Sequence, residues 1–326
     1  MKNKFRIISF TLVLTLVLVI TGCQKSAKQI VIYTNADEEA MEAMKTALND
    51  SGFEDEYILQ GMGTSELGGK LMAEGSSIEA DLITMSSYFI ESAQKEHKMF
   101  LDLTFDTDAL LSYPAYYTPI LANTGAIFVN TEVINDNKLP LPKSIKDLTL
   151  PEYKDLVSIP SIIDSSTAWL MIQAIINEYG EDEGLNITKD LVENCGAHIE
   201  SSGSGPIKKV RVGEVGAGFG LRHQAVQDNV DGKPIKFIDP IEGNFSLTEA
   251  VAVVKKGNEK QEELAMKMAQ VIIKEARTEL LEYYPVALYE GESIDELNKP
   301  GNPKEFNAPL TVNLLKQHQE FYKQAQ

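Results

Sequence analysis

The sequence has very little cysteine and histidine for a chain of 326 residues. Two cysteines cannot form a disulfide framework, and with four scattered histidines they cannot build a zinc-finger-like site. Stability must therefore come from a hydrophobic core, and about 300 residues can bury a large one, commonly divided between two domains. The residues concerned are Cys23, Cys195, His97, His198, His223 and His318.

Basic residues are also scarce, since 30 Lys and Arg stand against 48 Asp and Glu, which gives a formal net charge of −18. Nucleic-acid binding requires clustered Lys and Arg, so this balance argues against a nucleic-acid partner. It does not exclude an anionic ligand, because local donors decide what a pocket binds while net charge mainly governs solubility.

The only long apolar run lies near the start of the chain, over residues 7–20, directly after three basic residues. It is shorter than the roughly 20 residues that a membrane-spanning helix needs, and it predicts a signal peptide over residues 1–22. The run ends in "VITGC", which resembles a bacterial lipobox with Cys23 as the lipidated residue. We expect a lipid-anchored linker over 23–28 and an extracytoplasmic protein held at the cell membrane; the alternative is an ordinary secretory signal with an incidental Cys23.

The next part of the chain alternates between strand-like and helix-like segments, which predicts an α/β fold with parallel strands and helical crossovers. The helical segments show apolar residues at helical spacing, and the first stops near Gly52. The strand candidates are "QIVIYTNAD", "YILQGMG" and "ADLITMSS", and the helix candidates are "EEAMEAMKTALNDSGF" and "TSELGGKLMAEGSS".

Short polar residues follow each of these strands. Thr34 and Asn35 end the first, Thr64 and Ser65 follow the second, and Ser86 ends the third. Turns use the same residue types, so each pair alone is unremarkable. Ligands on open α/β sheets bind beyond the carboxyl ends of the strands, so the three together predict a binding edge.

The stretch "IPSIIDSSTAWLMIQ" carries three consecutive hydroxyls, Ser165, Ser166 and Thr167, before a helical segment. They could be simple helix caps, or they could hold an anion against the free N–H groups of the helix N-terminus. A later strand candidate, within "VGEVGAGFGLRHQ", exposes Arg222 and His223 at its end. The second half therefore also predicts donors at strand ends.

The order of these segments resembles the solute-binding lipoproteins of bacterial ABC importers. It is most similar to the branch with ferric-iron binders and 2-aminoethylphosphonate binders, and the resemblance spans nearly the whole mature chain. The stretches that carry it are the lipobox, "VIYTNADEE", "LGGKLMAEG", "ADLITM", "YTPILANTGAIFVN", "IPSIIDSSTAWLMIQ", "VRVGEVGAGFGLRHQA" and "YYPVAL".

This resemblance implies an α/β, two-lobe, periplasmic-binding-protein-like fold of class II type. Each lobe would be a mixed, mostly parallel sheet flanked by helices, and ligand would be trapped by hinge closure. The two crossings map to about residues 117–126 and 244–251. One lobe would then comprise residues 29–120 plus 250–326, and the other residues 121–249.

The resemblance also bears on the ligand. Iron-binding relatives carry adjacent tyrosines where this chain has Arg222 and His223, and Arg suits a phosphonate or phosphate because it donates paired N–H bonds. The alternative for Arg222 is an exposed charge at a strand end. Tyr284, from the pair Tyr283–Tyr284, is expected to line the cleft. The pair Tyr116–Tyr117 should likewise contribute one cleft residue.

The function predicted from these features is capture of a small anionic ligand, 2-aminoethylphosphonate or a related phosphonate, and its delivery to a membrane permease. An ammonium group on that ligand would need a carboxylate, and Asp37, Glu38 and Asp164 are candidates by position. We expect a monomer that uses no cofactor or metal and contacts the membrane through its lipid. Trp169 is expected in the core.

Two other functions remain open from the sequence. One is a binding protein of the same fold for ferric iron or another small cation, such as a polyamine or thiamine. The other is a secreted hydrolase with Ser165 or Ser166 as nucleophile and His223 as base. The hydrolase is disfavoured because the chain contains neither a Gly-x-Ser-x-Gly elbow nor His-rich metal spacing.

Overall fold

The computed structural model of the protein describes residues 29–326. The predicted signal peptide over 1–22, the lipidation of Cys23 and the linker over 23–28 lie outside the described residues. Between residues 29 and 326, no helix combines the length and the apolar character needed to cross a membrane.

Nine strands in the described part of the chain form one mixed sheet. Their order is β2-β1-β3-β9-β4-β7-β5-β6, and β8 pairs with β4. The strands are β1 (Ile30–Thr34), β2 (Tyr57–Gly61), β3 (Leu82–Ser86), β4 (Thr118–Asn130), β5 (Val157–Pro160), β6 (Ile199–Glu200), β7 (Ala217–Leu221), β8 (Ile235–Ile238) and β9 (Ser246–Val253).

The sheet divides into parallel groups at its two ends and antiparallel pairs in its middle. β1 pairs in parallel with β2 and β3, and β5 pairs in parallel with β6 and β7. Every antiparallel pair involves β4 or β9. These two strands pair with each other from Thr118–Val251 to Thr124–Ser246, within the segments predicted as crossings.

Ten α-helices accompany the sheet in residues 29–326, and the segments predicted as helical form α1, α2 and α5. The helices are α1 (Glu38–Leu48), α2 (Thr64–Glu74), α3 (Ser87–His97), α4 (Thr131–Asp136), α5 (Ser166–Cys195), α6 (Gly205–Arg211), α7 (Arg222–Val230), α8 (Glu259–Lys274), α9 (Arg277–Tyr283) and α10 (Val312–Lys323).

Helix α1 shows how the local sequence sets these boundaries. Asp37 caps its N-terminus by accepting a hydrogen bond from the backbone N–H of Ala40 at 3.4 Å, and two glutamates occupy the first turn. Acidic side chains there are favoured by the helix dipole. The apolar face of α1, which includes Met44 and Leu48, is fully buried against α8 and α9.

Helix α5 carries the apolar segment that follows the three hydroxyls, and its backbone is interrupted at Gly180, where φ is +76°. Trp169 is fully buried, as expected. Its indole donates to Nδ1 of His318 on α10 at 2.8 Å, and its ring meets Tyr88 edge-on at 5.1 Å. The last helix, α10, therefore packs against the central stretch as well as against α3.

Candidate functional site

One cavity of about 420 Å³ lies where the predicted strand-end residues converge. Its walls are the first turns of α2 and α5, the segment 35–37 after β1, the loop 201–204 before α6, and residues of β4 and β9. Seven predicted site residues line it: Asn35, Thr64, Ser65, Ser165, Ser166, Thr167 and Tyr284.

The start of α5 supplies three of the lining hydroxyls. Ser165 is the N-cap, and its Oγ accepts from the backbone N–H of Thr167 at 3.3 Å. The capping role considered for these residues therefore holds for Ser165. Ser166 and Thr167 are also buried and line the cavity, and the first-turn N–H groups of a helix have no partners within it.

The loop 201–204 approaches α5 so closely that it requires glycine. A Cβ on Gly203 would lie 2.1 Å from Oγ1 of Thr167, so a side chain there would push the loop away. Ser201, Ser202 and Ser204 line the same cavity, and sequence reasoning missed them. The signal was present, because the Ser- and Gly-rich stretch directly follows strand β6, as the other polar pairs follow their strands.

The start of α2 forms the facing wall. The amide of Asn35 donates to Oγ1 of Thr64 at 3.0 Å, which joins the end of β1 to this helix. Ser65 donates from its hydroxyl to the backbone carbonyl of Ile163, just before α5. The first turns of α2 and α5 are thus tied together across the cavity.

Two predicted strand-end residues, Thr34 and Ser86, do not line the cavity. Thr34 is fully buried, and its Oγ1 accepts from Thr84 Oγ1 at 2.7 Å. Thr84 lines the cavity in its place. Ser86 is also fully buried and donates from Oγ to Oε1 of Glu249 at 2.8 Å. The hydroxyls of Thr34 and Ser86 thus satisfy buried neighbours instead of facing the cavity.

Arg222, predicted to grip the ligand, does not line the cavity, and its guanidinium is already saturated by other partners. It pairs with both carboxylate oxygens of Asp239 at 2.7 and 3.1 Å, and its side chain is only 4% exposed. It also donates to the carbonyls of Asn298 and Lys299 and lies over the Phe237 ring at 4.8 Å. Arg222 therefore fastens the 297–299 segment to α7.

His223 is likewise absent from this cavity. Its ring packs against Tyr284 at 4.3 Å, and burial, assisted by the charge of Arg211, lowers its pKa to about 3. The imidazole is therefore neutral at ordinary pH. Because His223 is not among the lining residues with Ser165 and Ser166, the site lacks the base that the hydrolase alternative assigned.

Tyr284 lines the cavity as predicted for one member of its pair, while Tyr283 is partly exposed. Tyr284 donates its hydroxyl to Oδ1 of Asp37. Neither Tyr116 nor Tyr117, of which one was expected in the cleft, lines the cavity, and Tyr117 donates instead to Glu91 at 2.6 Å.

The candidate carboxylates separate into two kinds. Asp37 and Asp164 line the cavity, whereas Glu38 lies outside it. Burial raises the pKa of Asp37 to about 6, although the hydrogen bond from Tyr284 opposes that rise. Asp164 is exposed to solvent.

Glu249 on β9 is a lining carboxylate that sequence reasoning missed. It is only 4% exposed, and burial raises its pKa to about 7 despite the hydrogen bond from Ser86. In residues 29–326, no three His, Cys, Asp or Glu side chains are grouped so that they could hold a metal ion.

Solved structures that share this fold include the following three. The periplasmic binding protein P5PA gives a TM-score of 0.75 at 16% identity, over 91% of this chain and 98% of that chain. AfuA from Actinobacillus pleuropneumoniae, with exogenous fructose-6-phosphate bound, gives 0.69 at 19%, over 92% and 94%. Iron-bound HitA from Pseudomonas aeruginosa gives 0.70 at 17%, over 92% and 99%. At these identities the similarity establishes a class II periplasmic-binding-protein fold.

The sequence itself matches the family profile described as bacterial extracellular solute-binding protein over residues 79–296, more than half of the chain. Such proteins bind a solute outside the cytoplasm and pass it to a permease, and they are not enzymes. This match and the strand-end cavity agree: the chain belongs to the bacterial extracellular solute-binding proteins.

Proposed function

We propose that the cavity binds a small ligand through an anionic phosphonate- or phosphate-type head group, with 2-aminoethylphosphonate as the candidate ligand. The observation that carries this proposal is the convergence of the first turns of α2 and α5 with the loop 201–204 on one cavity. Hydroxyls and unpaired first-turn N–H groups are donors for oxyanions, and the helix dipoles favour negative charge there.

The donors proposed for the head group are all uncharged. Arg222 is taken up by Asp239, so the oxyanion would be held by Ser166, Thr167 and Thr64 together with backbone N–H groups. Such donors still form charge-assisted hydrogen bonds when the acceptor is ionised. AfuA, which shares the fold, has the phosphate ester fructose-6-phosphate bound, which is consistent with this type of head group.

The proposed capture mechanism is closure of two lobes about β4 and β9. The lobes are residues 29–120 plus 250–326 and residues 121–249, although α10 also packs on α5. The Ser65 hydroxyl donates to the Ile163 carbonyl across the cavity, a contact between the two proposed lobes. Ligand would stabilise the closed form by binding both walls, so small-angle scattering should show a smaller radius of gyration with ligand than without.

We also propose that a lipidated Cys23 anchors the protein to the membrane. The support is the lipobox-like "VITGC" at the end of the apolar run. Cys23→Ser should remove mature protein from the membrane fraction, whereas Cys195→Ser should leave the distribution unchanged, because Cys195 is buried in the core. The same membrane distribution for wild type and Cys23→Ser would contradict the anchor.

A thermal-shift screen tests the ligand class, since a ligand that binds only the folded protein raises the melting temperature. The panel is 2-aminoethylphosphonate, inorganic phosphate, ferric citrate, thiamine and a polyamine. A shift with the phosphonate, followed by saturable binding in calorimetry, is the expected result. A shift with ferric citrate alone would instead favour the ferric-iron alternative, and iron-bound HitA shares the fold.

A further inference from the structure

The charge of the cavity lining is entirely negative. Four carboxylates face it, and no Lys or Arg is among the lining residues of the described chain; the four are Asp37, Glu66, Asp164 and Glu249. A purely anionic ligand would therefore be repelled by the far wall even where the helix starts attract its head group. The charge of the lining therefore favours a ligand that carries a positively charged group.

Glu249 is the carboxylate most in need of a partner. It lies in the middle of the crossing strand β9, where Oε1 accepts from Ser86 at 2.8 Å. Its other oxygen, Oε2, is buried and has no hydrogen-bond partner, although the Asn35 side chain lies near enough to the carboxylate to favour its ionised form. A buried acceptor without a partner costs free energy. A ligand with a donor that reached Oε2 would remove that cost and bind more tightly.

Asp37 lies close enough to Glu249 for its charge to raise the pKa of that carboxyl further. Asp37 is partly buried, lines the cavity and accepts from the Tyr284 hydroxyl. Two neighbouring carboxylates in a poorly solvated corner repel each other, and a cation between them relieves that repulsion.

The other two lining carboxylates, Glu66 and Asp164, are exposed to solvent. Water already solvates such groups, so an ion pair with them contributes little. The lining residue Asn123, on β4, also presents an unpartnered buried oxygen, Oδ1, as a further acceptor. The acceptors that lack partners thus lie on the two crossing strands.

We propose that Glu249 and Asp37 form a subsite for a protonated amine, so that the protein selects zwitterionic ligands with an ammonium at one end and an oxyanion at the other. The inference rests on the proposed function for the oxyanion end only. Glu249 is then a specificity-determining residue, and inorganic phosphate or an alkylphosphonate without an amine is a poor ligand.

The test compares two ligands that differ in one group, 2-aminoethylphosphonate and ethylphosphonate, by calorimetric titration. The wild-type protein should prefer the amine by about ten- to a hundredfold, the range for one hydrogen bond to a charged group. Glu249→Gln, which keeps the shape of the side chain, should remove most of that preference and leave ethylphosphonate affinity within about threefold. Glu320→Gln on the surface of α10 is the matched control and should change neither affinity.

Equal wild-type affinity for both phosphonates would overturn the amine subsite, and so would a Glu249→Gln variant that loses affinity for both equally. If Glu249→Gln does not fold, Asp37→Asn and the wild-type ligand pair decide the question by the same criteria.

Ligands that carry an amine but no phosphonate test the amine subsite separately from the proposed oxyanion head group. If neither phosphonate binds but ethanolamine or putrescine does, and Glu249→Gln abolishes that binding, the amine subsite stands and the oxyanion proposal falls. If no amine-bearing ligand binds at all, the amine subsite falls as well.

Discussion

Ser86 and Glu249 are directly paired across the antiparallel strands β3 and β9, and the Ser86 hydroxyl donates to the Glu249 carboxylate at 2.8 Å. Burying a carboxylate in the middle of an apolar strand costs free energy unless a ligand or a neighbouring residue pairs with it. This pairing places Glu249 in the wall of the cavity, and it leads to the first prediction.

Glu249→Gln should stabilise the unliganded protein at high pH. The Glu249 pKa is raised from 4.5 to about 7, so in that interval the native state holds a proton that the unfolded state has lost, and stability falls as pH rises. Gln imitates the protonated acid. Urea unfolding should therefore show similar stability for both proteins near pH 5 and an advantage for the variant of about 2–3 kcal/mol near pH 8. An advantage that does not change with pH would contradict the assignment.

Affinity for 2-aminoethylphosphonate should rise between about pH 5.5 and pH 8. An ammonium pairs with ionised carboxylates, and the raised pKa values of Glu249 and Asp37 mean that binding must release protons below about pH 7. The hydrogen bond from the neutral Tyr284 hydroxyl lowers the pKa of Asp37 and the charge of Glu39 raises it, while Tyr88 faces Glu249 but stays protonated in this range.

Calorimetry at pH 6 in two buffers with different ionisation enthalpies measures that proton release directly. Glu249→Gln should reduce the number of protons released. Proton uptake on binding would be the opposite of the expected sign.

Arg222→Ala should destabilise the fold rather than weaken ligand binding. The substitution leaves the Asp239 carboxylate without its main partner and frees three carbonyls in 297–299. Breaking a buried ion pair in this way typically lowers the unfolding free energy by about 3–5 kcal/mol. Ligand affinity of the remaining folded protein should stay within about twofold of wild type, and a large loss of affinity without loss of stability would restore Arg222 to the site.

Gly203→Ala should weaken ligand binding by displacing the loop 201–204. The added methyl group would lie 2.1 Å from Oγ1 of Thr167, so either the loop or Thr167 must move. The matched control is Gly69→Ala on α2, where a Cβ meets nothing within 4 Å. The control should keep wild-type affinity, and its stability should equal or exceed that of wild type because alanine is the better helix former.

The strand-end hydroxyls could be predicted from sequence because the alternation of strands and helices fixes which edge of the sheet they reach. The alternation cannot say which way an individual side chain turns. Thr34 and Ser86 follow the rule for the backbone, yet their hydroxyls point to buried neighbours.

The partners of Arg222 and the direction of the Glu249 side chain could not be predicted from the sequence. Arg222 sits at a strand end as predicted, but its partners come from Asp239 and from backbone carbonyls about 75 positions later, which no local pattern reveals. Glu249 lies in "SLTEAVAV", which reads as an ordinary strand. Its side chain faces the cavity because β9 pairs antiparallel with β3 in a register that places Glu249 opposite Ser86. Residues far apart in the sequence set that register.

The most direct measurement is calorimetric titration of the double variant Ser166→Ala/Thr167→Val with 2-aminoethylphosphonate. Losing two hydrogen bonds to a charged oxyanion should weaken binding by at least tenfold, since each contributes about 1.5–3 kcal/mol. Thr188→Val, which removes a buried hydroxyl farther along α5, is the control and should bind like wild type. Weakened binding in the double variant alone is the expected result, and wild-type affinity in that variant would contradict an oxyanion site at the start of α5.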